Sequence, residues 1–316
     1  MGENRLGGIV VIHNPFARAN IRRPWLMNKL RNILEGCGEL VLTRNINQVP
    51  EVARQCLEKG IDYLAVNGGD GSLHVALSYF INIYQGQKLP AVIPLRGGTM
   101  NTMAHSVKLK GDPVSILTKV VRNYRAGAPI PTIKQHLVRL NDQYGFMSGA
   151  GIPPNFLAAY YSGTTTGPWQ GFKTLAHTVA SIIVQGPFYK FITAPAHCKV
   201  RIGDEELSPR YYTAILACSI REIGLGFTPT PRAYDKPGCF QFIAATIQPL
   251  EIVYRLGHLW LGKDIIHPNL FSRVTDRAYI EPLSNMRYMI DGEIYETEKP
   301  IELGCGPTID MVKMDN

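Results

Sequence analysis

The chain of 316 residues is longer than a usual single domain, and its 45% hydrophobic and 18% charged residues are typical of a globular protein with a sizeable core. A net charge of +8 favours an anionic partner such as a nucleotide or an acidic membrane surface, while the lack of a Lys- or Arg-rich block argues against nucleic acid. Scattered cysteines and the absence of a bilayer-length apolar run predict a cytoplasmic protein with reduced thiols and only peripheral membrane contact.

The first third of the chain alternates short apolar runs with helical patterns. In chain order, the predicted elements are a strand at 9–12, a helix at 24–35, a strand at 39–43, a helix at 49–59, a strand at 63–66, a helix at 73–84 and a strand at 91–93. This rhythm predicts a Rossmann-like parallel sheet with helices on both faces. Such sheets bind ligands beyond the carboxyl ends of their strands, where Asn14, Thr43, Asp70 and Thr99 are expected.

Beyond a Gly- and Pro-rich linker at 126–131, most predicted elements are strands. They lie at 136–140, 197–202, 211–219, 239–245, 272–281 and 286–290. A helical pattern covers roughly 171–184. Clustered strands predict an antiparallel β-sandwich, so the expected domains are 1–128 and 129–316, with the last strand able to return to the first domain.

The most informative motif is Gly68-Gly69-Asp70-Gly71-Ser72, which joins a predicted strand to a predicted helix. Glycines allow a large ligand to approach the main chain, and the helix N-terminus favours phosphate. A carboxylate among such amides suggests that Asp70 either holds a bridging cation or orders the turn. A simpler interpretation is that Asp70 or Ser72 caps the helix.

A second glycine loop, Arg96-Gly97-Gly98-Thr99-Met100-Asn101, follows the next predicted strand. The hydroxyl of Thr99 could cap the following helix or donate to a phosphate oxygen. Two such loops on neighbouring strands favour a polyphosphate site over either local interpretation.

The segment Ile290-Asp291-Gly292-Glu293 is a third candidate. Asp-Gly between strands is a common hairpin signal, so Asp291 is expected to stabilise the turn. A carboxylate here could also accept the proton of an attacking hydroxyl, and Glu293 has the longer reach for that role.

An apolar stretch at 172–192 carries Lys173, His177 and Lys190, and Trp169 precedes it. This composition fits either an interfacial helix or a core helix of the second domain. The core helix is the preferred interpretation.

These motifs resemble, in order and spacing, those of the diacylglycerol kinase catalytic family, the lipid kinases that include bacterial diacylglycerol kinases and sphingosine kinases. The positions that carry the resemblance are the Asn14-Pro15 strand end, Thr43, the 68–72 loop, the 98–101 loop and Asp291-Gly292-Glu293. The resemblance implies a nucleotide-binding α/β domain, a β-sandwich lipid domain, and ATP bound between them.

The same resemblance implies Mg²⁺-dependent transfer of the ATP γ-phosphate to a lipid hydroxyl, with a role in phospholipid biosynthesis. The implied nucleotide-binding residues are Asn14, Thr43, Gly68, Gly69, Gly71, Ser72, Gly98, Thr99 and Asn101. Glu293, Asp70 and Asp291 are the implied catalytic residues, and the metal ligands are left open. The expected partner is a lipid at a membrane surface rather than nucleic acid, and a homodimer is an open alternative.

Several positions depart from the family pattern. Ser72 replaces a threonine, Ala17-Arg18 replaces Ser-Gly, Thr102 stands where an aspartate is common, and Pro237-Gly238 replaces an Asp-Gly that helps to hold a metal in bacterial members. The accessory metal site is therefore expected to be absent or altered, unless Asp235 substitutes. Two alternatives stay open: a soluble-substrate kinase of the phosphofructokinase or NAD kinase type, and a catalytically silent nucleotide- or lipid-binding protein on the same fold.

Overall fold

The computed structural model describes residues 8–163 and 167–314. These residues form two compact units, one of residues 8–135 and 307–314 and the other of residues 136–306. The first unit therefore extends seven residues past the predicted boundary at 128, and the end of the chain returns to it.

The first unit contains a parallel sheet in the strand order β2-β1-β3-β4. Its strands are β1 (Ile9–His13), β2 (Gly38–Leu42), β3 (Tyr63–Asn67) and β4 (Ala91–Pro94). β1 is buried along its whole length, as its run of β-branched residues requires in a sheet covered on both faces. Met311, near the end of the chain, lies parallel to and opposite Val92 of β4.

Helices connect these strands. They are α1 (Arg18–Ile21), α2 (Leu26–Leu34), α3 (Val49–Lys59), α4 (Asp70–Tyr84), α5 (Thr102–Ser106) and α6 (Pro113–Arg125). Right-handed crossovers put α2 on one face of the sheet and α3 and α4 on the other, and α2 packs against α6 while α3 packs against α4. Because the chain runs outward from β1 to β2 and then back past β1 to β3, a crevice opens at the carboxyl ends of β1 and β3.

The second unit is rich in short strands. In chain order they are β5 (Thr132–Leu140), which begins in the first unit, β6 (Gln143–Gly145), β7 (Met147–Gly151), β8 (Ala196–Ile202), β9 (Glu205–Glu206), β10 (Tyr211–Tyr212), β11 (Ala214–Cys218), β12 (Phe240–Ala245), β13 (Leu270–Thr275), β14 (Arg277–Pro282), β15 (Met286–Ile290), β16 (Glu293–Thr297) and β17 (Ile301–Val312), which ends in the first unit.

One antiparallel sheet of this unit has the order β13-β12-β11-β7-β15-β16. In the second sheet, β8 lies between β10 and β14, and β14 pairs with the first half of β17. One hydrophobic cluster joins the two sheets, with Val200 and Ile280 from one and Ile215 and Phe242 from the other. This is a β-sandwich. The predicted fold class, a parallel α/β sheet plus an antiparallel sandwich, is confirmed.

The described residues of the second unit, 136–163 and 167–306, include five helices. They are α7 (Ile152–Ser162), α8 (Pro168–Val184), α9 (Tyr189–Ile192), α10 (Pro249–Tyr254) and α11 (Leu256–Trp260). Within the described part of the chain, none of the helices has both the length and the apolar character needed to cross a bilayer.

Two predicted strands prove to be pairs of strands in different sheets. The predicted strand at 272–281 breaks at Asp276 into β13 and β14, and the one at 211–219 breaks at Thr213 into β10 and β11. Where the chain passes from one sheet of a sandwich to the other, the strands on both sides of the break have the same apolar composition. Periodicity alone therefore does not reveal the break.

Candidate functional site

The first glycine loop lies at the carboxyl end of β3. A Cβ atom on Gly68 would lie 2.4 Å from the Cβ atom of Ser72, so only glycine allows the chain to turn this tightly into α4. Gly71 is buried in the first turn of that helix. The backbone N–H groups of this turn have no partner within the helix and can bind an anion.

The second glycine loop touches the first. A Cβ atom on Gly98 would lie 2.4 Å from the Cα atom of Gly69, so the two loops meet backbone to backbone. Asn101, which has the left-handed φ of 51°, closes its own loop by accepting the Gly98 N–H at 3.1 Å and donating to the Gly98 carbonyl at 3.1 Å. Thr99 is half-buried within this loop. Close contact between the loops thus requires glycine at position 98, whereas the turn into α4 requires it at position 68.

Asp70 ties the two loops together. Its Oδ2 accepts the N–H of Thr102 at 2.9 Å, and its Oδ1 accepts the N–H of Met103 at 3.1 Å. Burial raises the pKa of the Asp70 carboxyl, and the two backbone N–H donors act in the opposite direction. Of the interpretations that the sequence left open, the contacts are those of an ordering role. Together with a hydrogen bond from the Thr102 side chain, they leave the carboxylate one lone pair for a cation.

Asn14 at the end of β1 adjoins the first loop, and Thr43 at the end of β2 adjoins the end of β1. Asn14 donates from Nδ2 to Ser72 Oγ at 2.9 Å and accepts the N–H of Phe16 at 2.9 Å. Thr43 is buried, and its hydroxyl lies 3.4 Å from the carbonyl oxygen of His13. Within the first unit, the predicted nucleotide-binding residues therefore cluster at the carboxyl ends of the strands.

Sequence reasoning missed a buried polar network beneath these loops. Asn20 donates to the carbonyls of Asn14 at 2.8 Å and Asn67 at 3.0 Å, and Asn67 Nδ2 lies 2.7 Å from His13 Nδ1. Burial lowers the pKa of His13 and so favours the neutral imidazole, in which one ring nitrogen donates and the other accepts. A Cβ on Gly97 would lie 2.5 Å from Asn67 Oδ1. The available signal was an asparagine that ends an otherwise apolar strand.

In the second unit, Asp291 and Gly292 form the predicted hairpin turn. Their φ values of 43° and 96° are both positive, as a type I′ turn between β15 and β16 requires. The Asp291 carboxylate accepts the N–H groups of Phe146 at 2.8 Å and Met147 at 2.9 Å, and only 3% of the residue is exposed. Its carboxylate is therefore already bound to the main chain.

Glu293 begins β16 directly after this turn. The residue reaches the surface, and its carboxylate has no hydrogen-bond partner in the described part of the chain. Neighbouring protein nevertheless desolvates the carboxyl enough to raise its pKa. Tyr161 donates from its hydroxyl to the Gly292 carbonyl at 2.7 Å and so holds the turn. Of the three implied catalytic acids, Glu293 is the one that is not engaged with backbone N–H groups.

The residues at the altered accessory metal position do not form a ligand set. Asp235 pairs with Arg232 at 3.1 Å, and both side chains are exposed. No group of three or more His, Cys, Asp or Glu side chains lies together in residues 8–163 and 167–314. Mg²⁺ that travels with a nucleotide needs only one or two carboxylates besides phosphate, and Asp70 fits that requirement.

A cavity of about 430 Å³ lies in the second unit beside β11, β12 and β13. Its walls are largely aliphatic, with Leu216, Ile243 and Ile252 among them, and its polar groups include Arg255 and His267. Sequence reasoning missed this cavity because its walls come from strands and helices far apart in the chain.

A family model described as the diacylglycerol kinase catalytic domain matches residues 8–129 of this chain. A search of curated proteins found no match.

Three solved structures from Bacillus anthracis str. Sterne share the fold. Two are provisionally named diacylglycerol kinases, at 12% and 13% identity and a TM-score of 0.72 each. A third, named a diacylglycerol kinase, has 11% identity and a TM-score of 0.64. Each similarity covers 97% of this chain and 97% of the other. Residues 8–129 thus resemble the diacylglycerol kinase catalytic domain, which confirms the likeness predicted from the motifs and supports a kinase of this lipid-kinase type.

Proposed function

We propose that this protein is a lipid kinase that transfers the γ-phosphate of ATP to a lipid hydroxyl. The observation that carries the proposal is the Asp70 clamp, which joins two glycine loops at the carboxyl ends of neighbouring parallel strands. Phosphoryl transfer depends mainly on positioning and on stabilising charge, and an ordered pair of loops supplies both.

Phosphate binding is assigned to the first unit. The N–H groups at the start of α4 and the hydroxyls of Ser72 and Thr99 supply donors to phosphate oxygens, and Asn14 orients Ser72. Thr43 is assigned to the nucleotide beyond the phosphates. Mg²⁺, when bound with ATP, neutralises phosphate charge, and Asp70 is the residue that we assign to it.

Proton acceptance is assigned to Glu293 of the second unit. As the lipid oxygen forms its bond to the γ-phosphorus, the bond from that phosphorus to ADP breaks and the hydroxyl proton passes to the Glu293 carboxylate. A carboxyl with a raised pKa is a stronger base than an ordinary glutamate, which suits this role. Asp291 acts through its turn, as a positioning residue.

A lipid acceptor is supported by the cavity in the second unit. Its volume of about 430 Å³ is within the range of small-molecule sites, roughly 300 to 1,000 Å³. Its aliphatic walls suit an acyl chain and its Arg255 suits a polar head. Apolar contact discriminates weakly among chains, so the cavity does not select one lipid.

The experiment is transfer of radiolabel from γ-labelled ATP to a panel of diacylglycerol, monoacylglycerol, phosphatidylglycerol, sphingoid base and ceramide. We expect labelled product on at least one lipid, and Glu293→Gln serves as the matched negative control. Label on fructose 6-phosphate or NAD, with none on any lipid, would instead identify a soluble-substrate kinase.

The changes at Ala17-Arg18, Thr102 and Pro237 are the reason to test the catalytically silent alternative. That alternative expects nucleotide binding without transfer to any acceptor and without ATP hydrolysis. Thr102 donates its backbone N–H to Asp70, which any side chain would preserve, and its side chain adds a second hydrogen bond to that carboxylate. The departure at 102 therefore keeps the loops ordered, and this favours the kinase.

A further inference from the structure

Helix α8 has the reverse of the usual amphipathic pattern. Its buried positions are small or hydroxyl-bearing for the most part: Gly171, Thr174, Thr178, Ser181 and Ile182. Its exposed positions include the large apolar residues Trp169, Phe172, Ile183 and Val184, of which Trp169 is 67% and Val184 72% exposed. With about 100° between successive residues, the two sets fall on opposite sides of the helix. The preferred sequence interpretation, a core helix, therefore fails for these large side chains.

The inward face of α8 does not compensate for this exposure. The hydroxyls of Thr178 and Ser181 are buried and have no hydrogen-bond partner within residues 8–163 and 167–314. A helix normally turns its apolar side chains to the core, because each Å² of apolar surface left in water costs about 25 cal/mol. The outward apolar face is thus explained by a partner that covers it.

The short helix α9 extends the same element. It packs against α8, and the His177 ring stacks on Phe188 with ring centroids 4.9 Å apart. Phe191 of α9 is exposed as well. Aromatic side chains therefore lie near both ends of α8, where they favour the boundary between water and lipid.

The charge of this region selects the kind of partner. Residues 143–203, sixty-one in all, contain no Asp or Glu. Lys173 lies with its Nζ 5.8 Å from the centre of the Trp169 ring, and Lys190 is exposed on α9. Cations beside an apolar face complement an anionic bilayer, whereas a second copy of the same face would oppose lysine to lysine.

We propose that the outward faces of α8 and α9 dock the protein on an anionic bilayer. The apolar side chains enter the boundary between headgroups and acyl chains, and Lys173 and Lys190 meet the headgroup phosphates. At about 25 Å, α8 lies in the plane of the membrane rather than across it. Docking is expected without ATP; only its role in delivering the acceptor rests on the proposed function.

The test is flotation of the full chain with vesicles of phosphatidylcholine alone or of equal parts phosphatidylcholine and phosphatidylglycerol, without nucleotide. We expect the mixed vesicles to bind the protein, and the double variant Ile183→Glu, Val184→Glu to reduce binding at least tenfold. Leu283→Glu, at a site 50% exposed in the same unit, is the matched control and should bind normally. Lys173→Glu should reduce binding to mixed vesicles by about fivefold and leave any binding to neutral vesicles unchanged.

A variant that retains Trp169, with Trp25→Phe and Trp260→Phe, gives a direct readout, since its fluorescence should shift to the blue and be quenched by brominated lipid. No binding by the wild-type chain, or equal binding by the double variant, would overturn the proposal. A wild-type dimer that the double variant converts to a monomer, with no vesicle binding, would assign the face to a second copy instead. Vesicle binding without phosphorylation of any lipid of the acceptor panel, each presented in detergent micelles, would leave docking intact and count against the proposed function.

Discussion

Asp70 in the first unit and Asp291 in the second make the same contact in two different settings. Each carboxylate accepts the N–H groups of two consecutive residues, Thr102 and Met103 in one case and Phe146 and Met147 in the other. Asp70 thereby fixes one glycine loop against another, whereas Asp291 fixes the hairpin turn that precedes Glu293.

An acid in a glycine-rich motif therefore need not act directly on substrate. Both aspartates use their charge to order the main chain, and each stands next to the groups that we assign to chemistry. Asp70 adjoins the phosphate-binding loops and keeps one lone pair for a cation, while Asp291 is buried and orders the turn beside the proton acceptor. The two clamps should therefore fail in different ways when they are broken.

Among the variants that break a clamp, the largest expected effect is that of Asp70→Asn. The amide keeps one acceptor oxygen but turns a donor toward a backbone N–H, so the second loop moves out of position. We expect the rate of phosphoryl transfer to fall about 100-fold, because a small misplacement of a reacting group lowers the rate by about that factor. The dissociation constant of a fluorescent ATP analogue should change by less than about fivefold, because the other loop donors remain. Near-normal turnover of this variant would contradict the assigned role.

Gly98→Ala tests the contact between the loops that Asp70 clamps. The added Cβ would lie 2.4 Å from the Cα atom of Gly69. Because that atom belongs to the main chain and cannot rotate away, we expect a loss of about 1–3 kcal/mol in the free energy of unfolding. The matched control is Gly257→Ala in α11, where a Cβ meets nothing within 4 Å. That helical substitution should be neutral or stabilise by about 0.5–1 kcal/mol, and urea unfolding of both variants decides the point.

Asp291→Asn should show the opposite balance from Asp70→Asn. It leaves a buried backbone N–H without an acceptor, which should lower the free energy of unfolding by about 1–3 kcal/mol. Nucleotide affinity should not change, and turnover should fall only through the displaced turn. Asp235→Asn, an exposed carboxylate of the same unit, should stay within about 0.5 kcal/mol of the wild type. Weakened nucleotide binding in Asp291→Asn would contradict the separate roles that we assign to the two aspartates.

The smallest expected effect is that of Glu293→Gln on the free energy of unfolding. Because its pKa is raised in the folded state, the folded protein binds this proton more tightly than the unfolded chain does, and stability falls as pH rises through that range. Glu293→Gln should therefore be slightly more stable than the wild type at neutral pH. The difference should vanish below the ordinary pKa of glutamate. Thermal unfolding across pH measures this, and a less stable variant at neutral pH would reverse the sign.

The features that could be predicted from the sequence are local. The alternation of strands and helices in the first unit and the Asp291-Gly292 hairpin follow from periodicity and turn chemistry. The partners of the two clamps could not be predicted, because Asp70 reaches 32 and 33 residues along the chain, and Asp291 reaches 145 and 144. For α8 the sequence offered both an interfacial and a core helix and the core helix was preferred, because helical spacing gives the two faces but not which one meets the core.

The remaining acid, Glu293, carries the central claim, because it is the one that no backbone clamp engages. The direct measurement is the rate of γ-phosphate transfer from ATP to the lipid that the acceptor panel identifies, by the wild-type chain and by Glu293→Gln, with the affinity of each for nucleotide measured in parallel. We predict a rate loss of about 10²- to 10⁴-fold with nucleotide affinity unchanged. Transfer by Glu293→Gln at a rate close to that of the wild type would contradict the account.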